Sequence, residues 1–281
     1  MPSAIVTGAS RGIGRAIAIC LGEQGYTVFV TGRSRTEGPI PGTIDKTAQE
    51  VTAAGGTGVA VACDHADDEQ VAALFERVAA AGNGLDVLVN NLFPTTDVAD
   101  YENVPFYEQP LANIDGIVAT GLRTHFVSSW HAVPLMRERG RGLIVNISSA
   151  AAIYTVVSPV YCVAKAGLDK FTVDASRDLK GLGIAMVSLW PGPLVGTEMV
   201  QQRPMPAFSS TITESPFVTG RAVAVLASDP NIMRRSGRVL VATDVLAATG
   251  LTDIDGTLPP YPFDDAQMQQ QLLKRLPTRL G

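Results

Sequence analysis

Cysteine and histidine are both scarce in this sequence of 281 residues, which has three of each. They are Cys20, Cys63, Cys162, His65, His125 and His131. Neither set has the spacing of a metal site or of a disulfide framework. We therefore expect no bound metal, and the absence of a disulfide framework indicates a reducing compartment, the cytoplasm.

Charged residues are also few, at 17% of the chain against a typical value of about 25%. The net charge is −5 and no basic stripe is present, which argues against a nucleic-acid partner. Sparse charge at this length indicates much buried surface. We therefore expect a homo-oligomer, either a dimer or a tetramer.

Long apolar runs and linkers are absent as well. No run reaches the ~18 apolar residues that a membrane span needs. Strand-like residues begin at Ser3, so we expect neither a membrane segment nor a signal peptide. No Pro/Ser-rich linker, repeat or low-complexity tract divides the chain, which predicts one domain over residues 1–281.

The sequence does contain a regular alternation of short apolar runs with helical patterns. Seven runs rich in Val, Ile and Leu lie near residues 4–7, 27–31, 58–62, 85–90, 143–148, 185–189 and 238–241. The helical stretches lie near residues 12–24, 43–54, 67–81, 111–137, 159–180 and 216–228. Continuous apolar strands are typical of a sheet covered on both faces. The pattern predicts an α/β fold with a doubly wound (Rossmann) seven-stranded parallel sheet, flanked by helices in a single domain.

Two segments depart from the alternation. Residues 193–215 are rich in proline and carry the apolar side chains of Met199, Met205 and Phe208. Because ligands bind beyond the carboxyl ends of parallel strands, we interpret this segment as a substrate lid, with a simple packing loop as the alternative. Residues 244–281 form a C-terminal tail that becomes helical near its end.

A glycine-rich turn follows the first apolar run and opens the first helical stretch, the context of a dinucleotide site. Glycines allow the backbone to approach a pyrophosphate, and the helix N-terminus supplies oriented N–H donors. The residues expected to contact the cofactor here are Gly8, Ser10, Arg11, Gly12, Ile13 and Gly14.

Two arginines favour NADP(H) over NAD(H). The second strand ends at Arg33, and no acidic residue occupies positions 31–36, where an NAD enzyme usually places a carboxylate. Arg11 and Arg33 are both placed to reach a 2′-phosphate. The alternative is that Arg11 is a surface charge and Arg33 merely starts a loop, in which case NAD(H) would be used.

Tyr161 and Lys165 stand four residues apart, so on a helix they share a face. A free tyrosine titrates near pH 10, and we expect the neighbouring ammonium to lower the pKa of the phenol. Such a phenol can exchange a proton with a carbonyl oxygen while a bound nicotinamide exchanges a hydride. A serine at the end of the fifth strand would bond the same oxygen.

These motifs, in this order, resemble those of the short-chain dehydrogenases/reductases over nearly the whole chain. The matching positions are Thr7 to Gly14, Asp64, Asn90-Asn91, Asn146 to Ser149, Tyr161 with Lys165, and Pro191-Gly192. The resemblance implies that Asp64 meets the adenine, that Asn90 lies at the cofactor, and that Pro191 and Gly192 form the turn over the nicotinamide. It also implies that Thr197 bonds the carboxamide, although the spacing from the turn is one residue longer than usual.

More narrowly, residues 121–123, 188–192 and 226–231 resemble one branch of that family. The resemblance implies NADPH-dependent reduction of bulky ketones such as steroids, the activity of the branch's animal members. The leading hypothesis is an NADP(H)-dependent oxidoreductase acting on a moderately large, apolar carbonyl or secondary alcohol. The second hypothesis is a catalytically impaired protein that binds the dinucleotide as a sensor or as a subunit.

Several positions leave alternatives open. Counting back from Tyr161 points to Ser148 as the catalytic serine, whereas aligning the ends of the strand points to Ser149, which we favour. Leu92 and Phe93 replace the small residues of the family and either line the pocket or pack on the long helix.

Gly121 and Asp64 also allow two interpretations. Gly121 stands where the family has an asparagine, and we hypothesise that its backbone carbonyl still holds the water that relays protons to Lys165. Asp64 either meets the cofactor or caps the helix near Asp67.

Overall fold

The computed structural model describes residues 1–82, 84–94, 104–156, 158–202 and 214–274. The strands are β1 (Ser3–Val6), β2 (Thr27–Gly32), β3 (Thr57–Ala62), β4 (Val87–Asn90), β5 (Gly142–Ile147), β6 (Ile184–Trp190) and β7 (Val239–Val241). They form a seven-stranded sheet in the order β3-β2-β1-β4-β5-β6-β7, and every pairing is parallel. The predicted fold class is confirmed.

Helices connect the strands and cover both faces of the sheet. They are α1 (Gly12–Glu23), α2 (Ile44–Ala53), α3 (Asp68–Ala80), α4 (Leu111–Val118), α5 (Thr124–Arg139), α6 (Pro159–Leu179), α7 (Glu198–Gln202), α8 (Pro216–Ser228), α9 (Ala242–Ala247) and α10 (Asp265–Leu273). One buried cluster joins α1, α2 and α8 to one face of the sheet, and a second joins α3, α5 and α6 to the other. Burial on both faces explains why the strand sequences do not alternate with polar residues.

Polar side chains fix where the helices begin. Thr43 caps α2 by accepting from Lys46 N–H, and Asp67 caps α3 by accepting from Glu69 and Gln70 N–H. Ser158 caps α6 and is followed by Pro159 at the first helical position, where proline is well tolerated. This cap sets the start of the helix that carries the predicted catalytic pair.

The helix predicted over residues 111–137 is present, but it is not a regular α-helix throughout. Residues Ala119–Arg123 form a π-helical turn between α4 and α5. Apart from the presence of Gly121, nothing in the sequence predicts the extra residue in this turn, because the apolar spacing on either side is that of an α-helix. The turn lies beside the predicted catalytic helix, with contacts between the two elements.

The order of the strands reverses between β1 and β4, since the chain first builds outward through β2 and β3 and then returns to the other side of β1. Parallel sheets bind ligands in the crevice beyond the carboxyl ends of the strands at such a switch point. The glycine-rich turn after β1, Asn90 at the end of β4 and the serines after β5 all lie at this edge. Within the described residues, no helix is both long enough and apolar enough to cross a lipid bilayer.

Candidate active site

The turn between β1 and α1 requires its glycines. Gly8 and Gly12 have φ values of 63° and 56°, a backbone region that other residues adopt only with strain. A Cβ atom on Gly14 would lie 2.5 Å from the side-chain amide nitrogen of Asn91 and 2.5 Å from the carbonyl oxygen of Gly8. The three glycines therefore let the turn fold tightly under the loop that follows β4.

Asn91 ties that loop to the turn. Its Nδ2 donates to the carbonyl oxygens of Thr7 and Gly8, at 2.9 and 3.1 Å. The Thr7 hydroxyl in turn accepts from the backbone N–H groups of Asn91 and Leu92. Leu92 packs against Gly8, so this side chain contacts the glycine-rich turn rather than the long helix.

The N-terminus of α1 already binds an anionic group. The backbone N–H of Gly12 donates to the carboxylate of Glu198 at 2.8 Å, and Arg15 lies 3.7 Å from the other oxygen of the same carboxylate. Here the carboxylate occupies the kind of position that a pyrophosphate takes at a helix N-terminus. The donors of this turn therefore fit the phosphates of a dinucleotide, which would compete with Glu198 for Gly12.

The guanidinium group of Arg11 reaches the end of β2, where Arg33 lies. Arg11 Nη2 donates to Ser34 Oγ and to the carbonyl oxygen of Gly42, both at 3.1 Å, while its buried Nε has no hydrogen-bond partner among the described residues. Arg33 is 77% exposed and pairs with Asp64 at 3.6 Å. Two guanidinium groups with unused donors at this edge fit an additional phosphate.

Asp64 does not cap a helix. The cap of α3 is Asp67, whereas the carboxylate of Asp64 accepts from the nearby Ala66 N–H and pairs with Arg33. Ser10 and Ile13 lie within the glycine-rich turn, and Ile13 packs against the core, so any contact with a ligand would come from its backbone.

Two hydroxyl groups meet beyond the end of β5. Ser149 Oγ lies 3.2 Å from the Tyr161 hydroxyl, with either group able to donate. Ser148 points elsewhere: it is buried, and its hydroxyl donates to the carbonyl oxygen of Lys165. Of the two serines left open by the sequence, Ser149 is therefore the one in contact with Tyr161.

Lys165 lies on the same face of α6, but its ammonium does not reach the phenol oxygen. Nζ donates to the carbonyl oxygen of Ile147 at 3.0 Å and lies 5.8 Å from the centre of the Tyr161 ring. Burial lowers the pKa of Lys165 to about 8, against the opposing effect of Asp169. Burial also raises the pKa of Tyr161, and only the Ser149 hydroxyl opposes this. The net shift of the Tyr161 pKa is therefore upward, because burial outweighs the groups that favour the phenolate, and the expected lowering by Lys165 stays a prediction.

Phe93 contributes an aromatic wall to the site. Its ring meets the Tyr161 ring edge-to-face at 5.1 Å, and Lys165 Nζ lies 4.7 Å from its centre. The same ring fills the space above Gly121, where a Cβ atom would lie 2.8 Å from Phe93 Cε2. Both alternatives for Phe93 thus hold at once, since it lines the site and packs on the π-helical turn.

The side chain of Asn90 is committed to the protein interior. It is buried, and its Nδ2 donates to Asn146 Oδ1 at 2.9 Å and to Ser129 Oγ at 3.0 Å. These bonds link β4 to β5 and to α5. Any contact that Asn90 makes with a cofactor would therefore come from its backbone, and the expected place of Asn90 at the cofactor stays a prediction.

Asp169 extends the Tyr161–Lys165 face of α6 by one more turn. Its carboxylate accepts from Ser188 Oγ at 2.5 Å and from Trp190 Nε1 at 3.1 Å. Trp190 ends β6 and immediately precedes Pro191-Gly192, so Asp169 connects the catalytic helix to that turn. Sequence spacing could have found this residue, because it lies four positions after Lys165.

The turn at Pro191 and Gly192 leads back to the glycine-rich turn. Glu214 accepts from the backbone N–H of Gly192 at 2.9 Å. Thr197 lies beside Gly12, within 3.2 Å of the position that a Cβ atom would take there, and its hydroxyl accepts from Val200 N–H. The segment 191–197 therefore runs from the end of β6 to the start of α1, across the mouth of the crevice.

Parts of the predicted lid and tail can be located. Met199 lies on α7, whereas Met205, Phe208 and the rest of residues 203–213 are outside the described residues. The tail returns to the site: Phe263 packs edge-on against Trp190, and the Tyr154 hydroxyl donates to the carbonyl oxygen of Asp264.

Known proteins are similar to this chain in sequence and in fold. The family described as short chain dehydrogenase matches residues 2–206. The chain is 41% identical to mouse dehydrogenase/reductase SDR family member 1, over 90% of this chain and 83% of that protein. It is 32% identical to 3-oxoacyl-(acyl-carrier-protein) reductase FabG of Staphylococcus aureus, over 81% of this chain and 91% of that protein.

The fold has close structural relatives as well. A putative dehydrogenase from Xanthomonas campestris superposes with a TM-score of 0.80 at 26% identity, over 94% of this chain and 98% of that chain. The branch expected from residues 121–123, 188–192 and 226–231 is that of the mouse protein, and the identity of 41% supports it. On its sequence, its fold and its Ser149–Tyr161–Lys165 arrangement, the chain belongs to the short-chain dehydrogenase/reductase family.

Proposed function

We propose that the protein is an NADP(H)-dependent oxidoreductase that interconverts a moderately large, apolar carbonyl compound and its secondary alcohol. The observation that carries this proposal is the 3.2 Å contact between the hydroxyl groups of Ser149 and Tyr161 beside the switch-point crevice. Two hydroxyl groups at this separation can bond the same carbonyl oxygen. The names of the mouse and bacterial relatives, both reductases or dehydrogenases, support the reaction class.

Tyr161 is the proposed acid and base. In reduction its hydroxyl gives a proton to the carbonyl oxygen, and in oxidation the phenolate takes the proton back. Burial raises the pKa of Tyr161, so the phenol carries its proton at neutral pH. The Ser149 hydroxyl bonds the substrate oxygen and also lowers the pKa of Tyr161, which eases the loss of that proton.

Lys165 is the proposed source of positive charge for the phenolate. With a pKa of about 8, its amine is charged at neutral pH. The Ile147 carbonyl and the Phe93 ring hold it close to Tyr161, where its charge stabilises the phenolate that remains after proton transfer. We also assign it a hydrogen bond to the nicotinamide ribose.

A bound nicotinamide supplies or accepts the hydride. We assign its pyrophosphate to the Gly8–Gly14 turn, its adenine to Asp64, and its nicotinamide end to Thr197 and the Pro191–Gly192 turn. Arg11 and Arg33 favour the 2′-phosphate of NADP(H), because both guanidinium groups lie at the end of β2.

The apolar character of the substrate rests on the walls of the crevice. Phe93 stands beside Tyr161, and Trp190 with Phe263 lies next to the Pro191–Gly192 turn. We propose that residues 193–215 act as a lid over this space and that the tail, residues 244–281, closes it from the other side. The chain forms a single catalytic domain, and we propose that it assembles with copies of itself.

The rival function is a dinucleotide sensor without turnover. The residues Leu92, Phe93 and Gly121, which depart from the pattern of the family, motivate it, whereas the retained Ser149, Tyr161 and Lys165 oppose it. A panel of ketones with NADPH separates the two functions, by following the loss of nicotinamide absorbance. Tight binding of NADPH without turnover of any ketone would establish the sensor.

The test of the catalytic assignment is Tyr161→Phe. General acid catalysis contributes roughly 10²- to 10⁴-fold, so we expect kcat to fall by that factor while the Kd for NADPH changes little. Tyr107→Phe is the matched control, because this tyrosine is 73% exposed and takes no part in the Ser149–Tyr161 contact. Equal activity of Tyr161→Phe and wild type would overturn the mechanism.

The cofactor preference is tested with Arg33→Ala. Charge-assisted hydrogen bonds are worth about 1.5–3 kcal/mol, so the Kd for NADPH should weaken by roughly 10- to 100-fold while the Kd for NADH stays the same. Fluorescence titration measures both constants. Equal weakening for the two cofactors would contradict a 2′-phosphate contact.

A further inference from the structure

Glu214 is a buried carboxylate that the reaction described above does not use. It is 4% exposed, and its side chain accepts the backbone N–H of Gly192 at 2.9 Å. The residue begins the described chain after residues 203–213 and immediately precedes the cap of α8, Ser215. Its carboxylate therefore connects the start of α8 to the turn after β6.

The backbone of Glu214 holds the same segment a second time. Its carbonyl oxygen accepts from Gly196 N–H at 2.9 Å, and Val195 and Glu214 form an isolated parallel β-bridge. Side chain and backbone together fix residues 192–196 at both ends. This segment crosses the mouth of the crevice, from the strand next to Ser149 to Gly12.

The position of this segment matters for any ligand in the crevice. Leu189 pairs with Ile147 at the end of β5, so the turn at Pro191 lies one strand away from the Ser149–Tyr161 pair. At its other end Thr197 touches Gly12. A dinucleotide that extends from Gly12 toward Tyr161 would lie beneath residues 191–197.

We propose that Glu214 is a positioning residue, which holds the Pro191–Gly192 turn so that a nicotinamide ring is aligned with Tyr161 and Ser149. This inference rests on the proposed function and assigns to it a residue with no part in the chemistry. Glu214 acts through Gly192 and touches neither the substrate nor the reacting atoms. A misplacement of about 1 Å at a reacting centre can cost ~10²-fold in rate.

The first measurement does not depend on turnover. NADPH is titrated into wild type, Glu214→Ala and Glu214→Gln, and nicotinamide fluorescence reports both the Kd and the environment of the bound ring. We expect Glu214→Ala to change the Kd by less than about threefold, because the phosphates and the adenine are bound elsewhere, and to shift the fluorescence of the bound ring. Glu214→Gln should resemble wild type, since its amide oxygen can accept the same N–H.

The second measurement is kcat with a ketone substrate and NADPH deuterated at the transferred position. Glu214→Ala should lower kcat by about 10- to 100-fold and increase the isotope effect, because hydride transfer becomes slower than the other steps. Glu214→Gln should restore kcat to within about threefold of wild type. Glu76→Gln is the matched control, because Glu76 is an exposed glutamate on α3.

The charge state of Glu214 provides a further signature. Burial raises the pKa of Glu214 to about 7, with Asp253 adding to the rise and the Gly192 N–H opposing it. Asp253 is bonded by Ser215, and Arg221 donates to the backbone carbonyls of Thr252 and Asp253. Since an ionised carboxylate accepts an N–H more strongly than a neutral one, the fluorescence of bound NADPH should change near pH 7 in wild type. Glu214→Gln should lack this change.

Three outcomes decide the matter. Wild-type fluorescence, kcat and isotope effect in Glu214→Ala would overturn the proposal. Losses that glutamine does not rescue, and that follow only a lower melting temperature, would show a structural role and also overturn it. If wild type binds NADPH but reduces no ketone, the proposed function fails, and the fluorescence comparison alone then decides the role of Glu214.

Discussion

Lys165 carries a charge into surroundings that disfavour it. Its ammonium donates to the Ile147 carbonyl and otherwise meets the rings of Phe93 and Tyr161. The pKa of about 8 lies below the usual 10.5, and burial is the main cause. Between these two pH values the unfolded chain binds a proton that the folded chain does not, so the free energy of unfolding rises with pH there. Below pH 8 the folded protein bears the full cost of the buried charge.

Lys165→Met should therefore be more stable than wild type at pH 7, by about 1–3 kcal/mol, while its activity is lost. The gain should shrink as the pH rises from about 8 toward 10.5. Urea denaturation at pH 7 and at pH 9.5 measures both effects. Lys170→Met is the control, because Lys170 is 71% exposed in its pair with Asp174, and its removal should change stability by less than about 1 kcal/mol. A less stable Lys165→Met protein at pH 7 would show that burial does not penalise the ammonium.

Some functional residues of this chain can be predicted from local sequence spacing, and others cannot. Tyr161, Lys165 and the glycines of the first turn follow local spacing rules, since helix periodicity and positive φ act over a few residues. Glu198 and Glu214 bond backbone groups that are far away in the chain, at Gly12 and Gly192. No local pattern marks an acceptor for a distant N–H, so neither glutamate could be predicted. The direction in which the pKa of Tyr161 shifts could not be predicted either, because it depends on how deeply the side chain is buried.

Gly121 and Phe93 together shape the π-helical turn inside the long helix. The π-helical turn Ala119–Arg123 inserts one residue where a regular helix would continue, and Gly121 is buried in it. Phe93 fills the space left by the missing side chain and reaches Tyr161. Irregular turns of this kind often accompany functional sites. The sequence predicted a helix here and a special role for Gly121, but the space occupied by Phe93 depends on the loop after β4.

Gly121→Ala should push Phe93 toward Tyr161 and Lys165. The added Cβ atom would lie 2.8 Å from Phe93 Cε2, so we expect a stability loss of about 1–3 kcal/mol from overpacking, together with a lower kcat. Phe93→Leu in the same chain should recover most of the stability, which a double-mutant cycle measures. Gly116→Ala is the control, because nothing lies within 4 Å of its added Cβ atom.

The same variant tests the water relay through the Gly121 carbonyl. If the relay exists, the solvent isotope effect on kcat should differ from that of wild type, because the displaced turn moves the carbonyl. Wild-type activity together with a wild-type solvent isotope effect in Gly121→Ala would remove the relay.

An apolar groove with no part in the proposed reaction lies on the face of the sheet that α3, α5 and α6 cover. It has a volume of about 790 Å³ and lies between α3, α5 and α6, on the face away from the glycine-rich turn. Its apolar lining is Ala72, Phe126, Val127, Trp130, Val133, Phe171, Ala175, Leu179 and Met186. Trp130 is 73% exposed, and the rings of Phe126 and Phe171 stack with their centroids 3.7 Å apart. Exposed apolar surface of this kind is typical of an interface.

We expect copies of the chain to associate through this groove, as the sparse charge of the sequence predicts. Wild type should sediment as a dimer or tetramer at micromolar concentration. Trp130→Glu should weaken association by 100-fold or more, because an interface tryptophan often contributes 2 kcal/mol or more to binding. The glutamate also introduces a charge that would be buried without a partner. Sedimentation equilibrium measures the mass and the dissociation constant.

Tyr107→Glu is the matched control, since its aromatic side chain is also 73% exposed but lies outside the groove. A monomeric wild type, or loss of association in Tyr107→Glu but not in Trp130→Glu, would place the interface elsewhere or remove it. Trp130 lies on α5, whereas Ser149 follows the end of β5 and Tyr161 and Lys165 lie in the first two turns of α6. The isolated Trp130→Glu subunit should therefore still bind NADPH, which separates loss of assembly from loss of the fold.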